Sequence, residues 1–344
     1  MFRGSFKNIF SRRLWFSAGP RPYSRYAQYQ RFNNKQGTSF TQLLVDPTSR
    51  KYVATVFGGG FLFYVTHLEQ APVSGRTRFI WLPHWLELKV GNYSYNSILA
   101  QTRGSMLPPN HPLTVKVDNI FRKIVEAAAK DPSIDHQLLS DVTWQVHIVN
   151  DPTAPPNAFV LPGGKVFVFS SILNICKNDD GLATVLSHEF SHQLARHTAE
   201  NLSKAPIYSM LGAILYTVTG ADVFNRLILD GFLRMPASRQ METEADYIGL
   251  MIMSRACFHP EEAVKLWKRM SEFEQQIKGR GNLNLEFLST HPASDRRIEN
   301  MKSWLPKAQE IYSQSNCGML GGYLDGFQNV FGGPREEQPA IVWG

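Results

Sequence analysis

The sequence predicts an α+β fold: a mostly helical domain with a small β-sheet, preceded by one transmembrane helix. Three observations lead there. Apolar residues recur at helical spacing over residues 117–130, 180–203, 241–250, 261–277 and 295–304. Between residues 142 and 169 the period shortens to two, on either side of a Pro155-Pro156 break. Residues 52–68 carry no formal charge.

The chain opens with MFRGSFKNIFSRRLWF, and its first 45 residues hold eight Lys or Arg and no Asp or Glu. Phe2, Phe6, Ile9, Phe10 and Leu14 form an apolar stripe among the bases, without the continuous apolar core of a secretory signal. Residues 1–40 therefore read as a mitochondrial transit peptide. Setting those eight bases aside leaves 28 basic against 29 acidic residues, so the net charge of +7 belongs to one end. The remainder shows no basic patch interleaved with aromatics, which argues against nucleic acid as a partner.

Arg50 and Lys51 precede the uncharged stretch 52–68 and Glu69 follows it. Its length is at the short end of a bilayer span, and Gly58-Gly59-Gly60 would weaken a helix in water but suits packing in lipid. A buried helix of a soluble domain is the alternative; the basic flank favours an anchor. Behind a mitochondrial leader, that flank would stay in the matrix and everything after about residue 70 would face the intermembrane space. Residues 69–110 mix aromatic and turn residues and read as a connector near the bilayer, with Trp81 and Trp85 suited to the headgroup level or to ordinary packing.

The helix at 117–130 turns Ile120, Ile124, Val125 and Ala128 inward, and Trp144, Val146 and Ile148 alternate with polar residues in a strand. Gly163-Gly164 turns the chain into a second strand at 165–169. Beside a metal helix an edge strand can hold an extended substrate by strand addition; the alternative is that this hairpin only packs the core. Residues 180–203 read as one long helix, with Asp179 and Asp180 offering cap oxygens and Leu182, Val185, Leu186, Phe190 and Leu194 as its apolar stripe. The uncharged stretch 207–221 is too short for a comfortable span, and 234–240 reads as a loop. His259-Pro260 and His291-Pro292 open the last two helices; the tail at 311–344 is Gly-rich and irregular. Cys176, Cys257 and Cys317 lack C-x-x-C spacing, which indicates neither a thiolate metal site nor a disulfide framework and leaves a single bridge open.

The chemistry gathers at His188-Glu189-Phe190-Ser191-His192, an H-E-x-x-H string inside the long helix. Residues four apart on a helix lie about 40° out of register and about 6 Å apart along the axis. His188 and His192 can thus point two imidazoles at one metal ion, while Glu189 flanks the ion and takes a proton from water. A solvated polar face is the alternative, and a third ligand would weigh against it. METEADYIGL supplies one: Glu242 closes a His-His-Glu set with the fourth position left for water, and Asp246 accepts a hydrogen bond from a ligand histidine. His291 and Arg297 are candidates to steady an oxyanion or to orient the carboxylate ligand. Taken singly they read as a cap and a surface charge.

HEFSH, then ETEAD fifty residues on, then STHPASDRRI, with NAFVLPGG upstream, together resemble the HtpX-like and prenyl-CaaX-protease-like metallopeptidases, which are gluzincins. The resemblance covers residues 110–305 and implies a zincin-type metalloprotease domain over 111–310. It implies one Zn2+ per chain on His188, His192 and Glu242, with Glu189 as general base, Asp246 behind the ligands, and His291 and Arg297 as the H-P-x-x-x-x-R pair. With its leader and anchor the chain is similar to the stress-activated branch of the mitochondrial inner membrane, whose activity overlaps that of the m-AAA protease. That branch implies protein substrates in or at the membrane, quality control, and a homo-oligomer. The chain lacks the many spans of the prenyl-protease branch, so CaaX cleavage is not expected. A silent membrane-tethered scaffold with a structural metal is the rival reading; Glu189 argues against it, because a structural site has no use for a base.

Overall fold

A computed structural model describes residues 46–71, 73–206, 239–278, 291–292, 294–315, 317 and 340–344. The expected leader, the stretch 207–221 and most of the loop 234–240 lie outside the described residues. In chain order the elements are α1 (Pro47–Thr66), β1 (Leu68–Gln70), β2 (Thr77–Phe79), α2 (His84–Thr102), α3 (Pro112–Ala129), α4 (His136–Ser140), β3 (Thr143–Val149), β4 (Ala158–Leu161), β5 (Lys165–Phe169), α5 (Leu173–Cys176) and α6 (Asp179–Leu194). A helical segment at 197–206 follows, then α7 (Arg239–Arg255), α8 (Glu261–Lys278), α9 (Asp295–Gln314) and β6 (Val342–Trp343). The described part is mostly helical with small sheets, the α+β class expected.

Helix α1 takes in most of the expected anchor and continues five residues beyond it toward the N-terminus, to Pro47. Tyr52, Val56, Phe57 and Phe61 are all exposed on it. Among the described residues no helix is long and apolar enough to cross a membrane. The chain divides into two units between Phe61 and Leu62. Within the second unit, the last turn of α1 is pinned to β2: the Tyr64 ring stacks on Phe79 with centroids 5.0 Å apart, and Phe63 meets Phe79 edge-on at 6.1 Å.

The stretch expected as a connector is structured. β1 and β2 form an antiparallel hairpin, and α2 runs for 19 residues. The apolar pattern hid α2 because its faces are inverted in places. Trp85 and Tyr93 point outward, while Glu87 is fully buried, paired with Arg196 at 2.9 Å.

The main sheet has the order β4-β5-β3-β6. β3 and β5 run parallel, with Val146 opposite Val166, and β4 returns antiparallel to β5. The turn between them needs positive φ at Gly163 (94°) and Gly164 (81°), a conformation open to glycine. The tail that gave no pattern extends α9 to Gln314 and closes with β6, added in parallel to β3. Cys257 and Cys317 form the single bridge; Cys176 is a buried free thiol.

The expected helix at 180–203 is interrupted. α6 stops at Leu194, Arg196 adopts φ of 49°, and helical turns resume at residue 197. The cap is also displaced by one: Asn178 accepts from the Gly181 N–H at 2.7 Å, and Asp179 and Asp180 lie in the first turn, where negative charge favours the helix N-terminus. α6 is buried on nearly every side. Phe121 of α3, Trp144 of β3 and Phe190 of α6 meet with ring centroids 5.3–5.8 Å apart and hold it against the sheet. α7 crosses α6 at Gly249, where a Cβ would lie 3.1 Å from the backbone of Ser187 and His188. That close approach brings the N-terminal half of α7 over the H-E-x-x-H turn.

Candidate metal centre

All seven residues singled out from the sequence come together. His188 and His192, one turn apart on α6, bring their Nε2 atoms to 3.1 Å of each other. Glu242, from the first turn of α7, places Oε2 3.4 Å from His188 Nε2 and Oε1 3.4 Å from His192 Nε2. Ligands about 2.1 Å from a tetrahedral ion stand roughly 3.4 Å apart, so this spacing suits one small cation.

His291 joins them. Its Nδ1 is 2.9 Å from Glu242 Oε1 and 3.4 Å from His188 Nε2, and the four ligand atoms all lie within 4.8 Å of one another. The sequence reading left the fourth position to water; here a histidine faces it. The Glu189 carboxylate stands beside the group, with Oε1 3.7 Å from His291 Nε2 and without a hydrogen-bond partner for that oxygen among the described residues.

Charge balance also favours a cation. Glu189, Glu242, Asp246 and Arg297 are all at most 5% exposed, so three carboxylates face one guanidinium with little water to help. A divalent ion would balance the remaining charge. Burial disfavours a charged His188, but hydrogen bonds to Asp246 and Glu242 push its pKa up to about 9. Burial also raises the Glu242 carboxyl, yet His291 and His188 outweigh it and hold the group well below the usual range. His192 is held neutral, by burial first and then by its histidine neighbours. Burial pushes the Glu189 carboxyl upward, the direction a proton acceptor needs if it is to bind and release a proton near neutrality.

Asp246 lies where expected, its Oδ1 3.0 Å from His188 Nδ1. Arg297 grips it with a two-pronged fork, Nε to Oδ2 and Nη2 to Oδ1 at 2.7 Å each, and sets Nη1 3.1 Å from Glu242 Oε2. The guanidinium also stacks over Trp267 at 3.7 Å. Of the two roles the sequence allowed Arg297, this geometry supports orienting the carboxylates, not meeting an oxyanion.

Sequence reasoning missed the residues behind His192. His192 Nδ1 lies 2.8 Å from His197 Nδ1, and His197 Nε2 lies 3.1 Å from Glu244 Oε2. Both stand beside motif residues that were noticed, His197 five past His192 and Glu244 two past Glu242, but helical spacing gave neither a reason to face the ion.

The model of peptidase family M48 matches residues 117–305, a span that contains every one of these donors. The chain belongs to peptidase family M48. Within that family it is 66% identical to the mitochondrial metalloendopeptidase OMA1 of Saccharomyces cerevisiae over 308 residues, 89% of each chain. It is 36% identical to the protein of the same name in Schizosaccharomyces pombe, over 92% of this chain and 95% of that one. More distant is the beta-barrel assembly-enhancing protease of Escherichia coli, 26% identical over 70% of this chain and 49% of its own length. An M48 peptidase is a metalloprotease, which agrees with the donor set described above.

Proposed function

We propose that this chain is a mitochondrial zinc metalloendopeptidase, anchored to the inner membrane and cutting membrane proteins in quality control and stress response. The observation that carries the reading is the convergence of His188, His192 and Glu242 from two helices, with the Glu189 carboxylate beside them. Two imidazoles and one carboxylate in tetrahedral spacing are the donor set of catalytic zinc. When bound, the ion would supply Lewis acidity to the attacking water and the scissile carbonyl. Glu189 accepts the proton of that water and delivers it to the leaving amine. Asp246 and Arg297 keep His188 and Glu242 aimed. His291 lies close enough to contact either the metal group or the reacting carbonyl. Among the described residues β4 is an edge strand that packs on α6, and an extended substrate would add to it by backbone hydrogen bonds.

The apolar, exposed α1 supports membrane attachment, and a Cys257–Cys317 bridge suits an oxidising space such as the intermembrane side. We place the leader at 1–40, the attachment at 52–68 and the catalytic domain at 111–310, assembled as a homo-oligomer. Carbonate extraction and protease protection of a C-terminal tag, in mitochondria and mitoplasts, test this placement. A tag still protected after the outer membrane is opened contradicts it.

The activity itself is tested with purified full-length chain and an unfolded protein substrate. A chelator should stop cleavage and added zinc restore it. Glu189→Gln should keep its metal yet lose about 10²-fold or more in rate, the share a positioned base contributes. A Glu189→Gln chain that cleaves at the parent rate means the base is elsewhere.

A further inference from the structure

The path behind His192 has one feature that the ligand set does not explain. Metal ligation through Nε2 leaves His192 Nδ1 carrying a proton, so at 2.8 Å His197 Nδ1 must accept. His197 then carries its own proton on Nε2 and donates to Glu244 Oε2 at 3.1 Å. Glu244 is held from the other side: Arg76 Nε donates to Oε2 at 2.7 Å, and the Ser74 hydroxyl donates to Oε1. The same guanidinium forks onto Glu200, with Nη2 at 2.6 Å and Nη1 at 3.1 Å. Glu200 lies on the segment 197–206, so Arg76 ties that segment to α7. His197, Glu200 and Glu244 are each at most 5% exposed, so these hydrogen bonds lie largely out of water, where they are electrostatically stronger. Ser74 and Arg76 sit in the turn between β1 and β2, directly after α1 and well before the family-matched span that starts at residue 117.

We infer that His197, Glu244 and Arg76 are positioning residues that fix the tautomer and aim of His192, so the turn after the apolar helix is a working part of the metal centre. The inference rests on the metal-centre reading given above. A histidine ligand whose free N–H is caught by an oriented acceptor is a better and better-aimed donor, and loss of such a partner typically weakens metal binding about 10–100-fold. Here the acceptor is a second histidine, oriented in turn by a carboxylate that an arginine from outside the family-matched span locks in place.

The test uses full-length chain with zinc affinity measured by chelator competition and, in parallel, the visible spectrum of the cobalt-loaded protein. Arg76→Ala and Glu244→Gln should each weaken zinc binding about 10–100-fold and shift the cobalt bands. Arg76→Lys should recover part of this, because an ammonium cannot fork onto Glu244 and Glu200 together. His197→Leu should behave like Glu244→Gln, whereas His197→Gln, with an oxygen to accept and an amide N–H to donate, should stay near the parent. A merely structural role would lower the melting temperature of the metal-free chain and leave affinity and cobalt spectrum alone. Parent-like affinity and spectrum in folded Arg76→Ala overturn the inference. Should that variant fail to fold, equal affinities in His197→Leu and His197→Gln overturn it instead. A parent chain that binds no metal at all would sink the metal-centre reading itself, a different outcome.

Discussion

His188 and His192 stand one turn apart on the same helix and serve the same ion, yet they are braced from opposite directions. Behind His188 is one carboxylate, Asp246, gripped by Arg297, and both partners come from α7 and α9 deep in the domain. Behind His192 is a relay of three groups that ends on Arg76, a side chain 23% exposed in the hairpin after α1. The inner brace is short and dry. The outer one is longer and ends on a partly exposed side chain in the β1–β2 turn. Two ligands of one site are therefore tied to parts of the chain that differ in burial, the Arg297 side chain being 6% exposed and that of Arg76 23%.

The largest effect should come from the inner brace. Asp246→Ala leaves Arg297 buried without its fork partner, and breaking such a pair from one side costs about 3–5 kcal/mol. Urea denaturation of the metal-free chain measures it. Asp246→Asn can still accept from His188 but cannot balance the guanidinium, so it should lose nearly as much stability. If Asp246→Asn matches the parent, the charge on Asp246 does not matter and the contrast drawn here is wrong.

Arg76→Ala should rank next. Ser74 and Lys204 still reach Glu244 and Glu200, and water can enter beside a partly exposed side chain. A lost charge-assisted hydrogen bond under those conditions costs about 1–3 kcal/mol. The two variants should thus differ clearly in stability while both weaken metal binding. Equal destabilisation by Arg76→Ala and Asp246→Ala would mean that the outer brace is as deeply committed as the inner one.

The same contrast accounts for what the sequence disclosed. The inner brace was legible because its residues repeat at helical spacing: His188 and His192 four apart, Glu242 and Asp246 four apart, and Arg297 in a motif that the family resemblance carried. The strands at 143–149 and 165–169 were legible for the same kind of reason, since alternation marks them locally. The outer brace joins residues 76, 197, 200 and 244, whose partnership exists only after the chain breaks at Arg196 and the β1–β2 hairpin folds back. Nothing at residue 76 advertises a partner 168 positions away. Helix α2 escaped notice because a buried glutamate and two outward aromatics defeat the usual pattern. β6 escaped because strand pairing at a chain end depends on what it lands on.

A third histidine supplies the control for both braces, with an effect confined to acid pH. His147 on β3 is half-buried against Tyr95, with the hydroxyl 3.2 Å from Nε2, and no carboxylate within ion-pair reach among the described residues. Burial, helped by Lys165 nearby, pushes its pKa down from 6.5 to about 4. The folded chain therefore refuses a proton that the unfolded chain accepts, and stability drains away as pH falls from about 6.5 to about 4, with no further loss below that. His147→Gln removes this part of the slope, so the stability gap between parent and variant should change across that window and stay constant above it. Urea midpoints of the metal-free proteins at pH 7.5, 5.5 and 4.5 read the gap, and taking the difference cancels the titration of the metal-site histidines. A gap that does not move with pH would show that burial alone does not keep a histidine neutral in this fold. The carboxylates behind His188 and His192 would then be less decisive than their distances suggest.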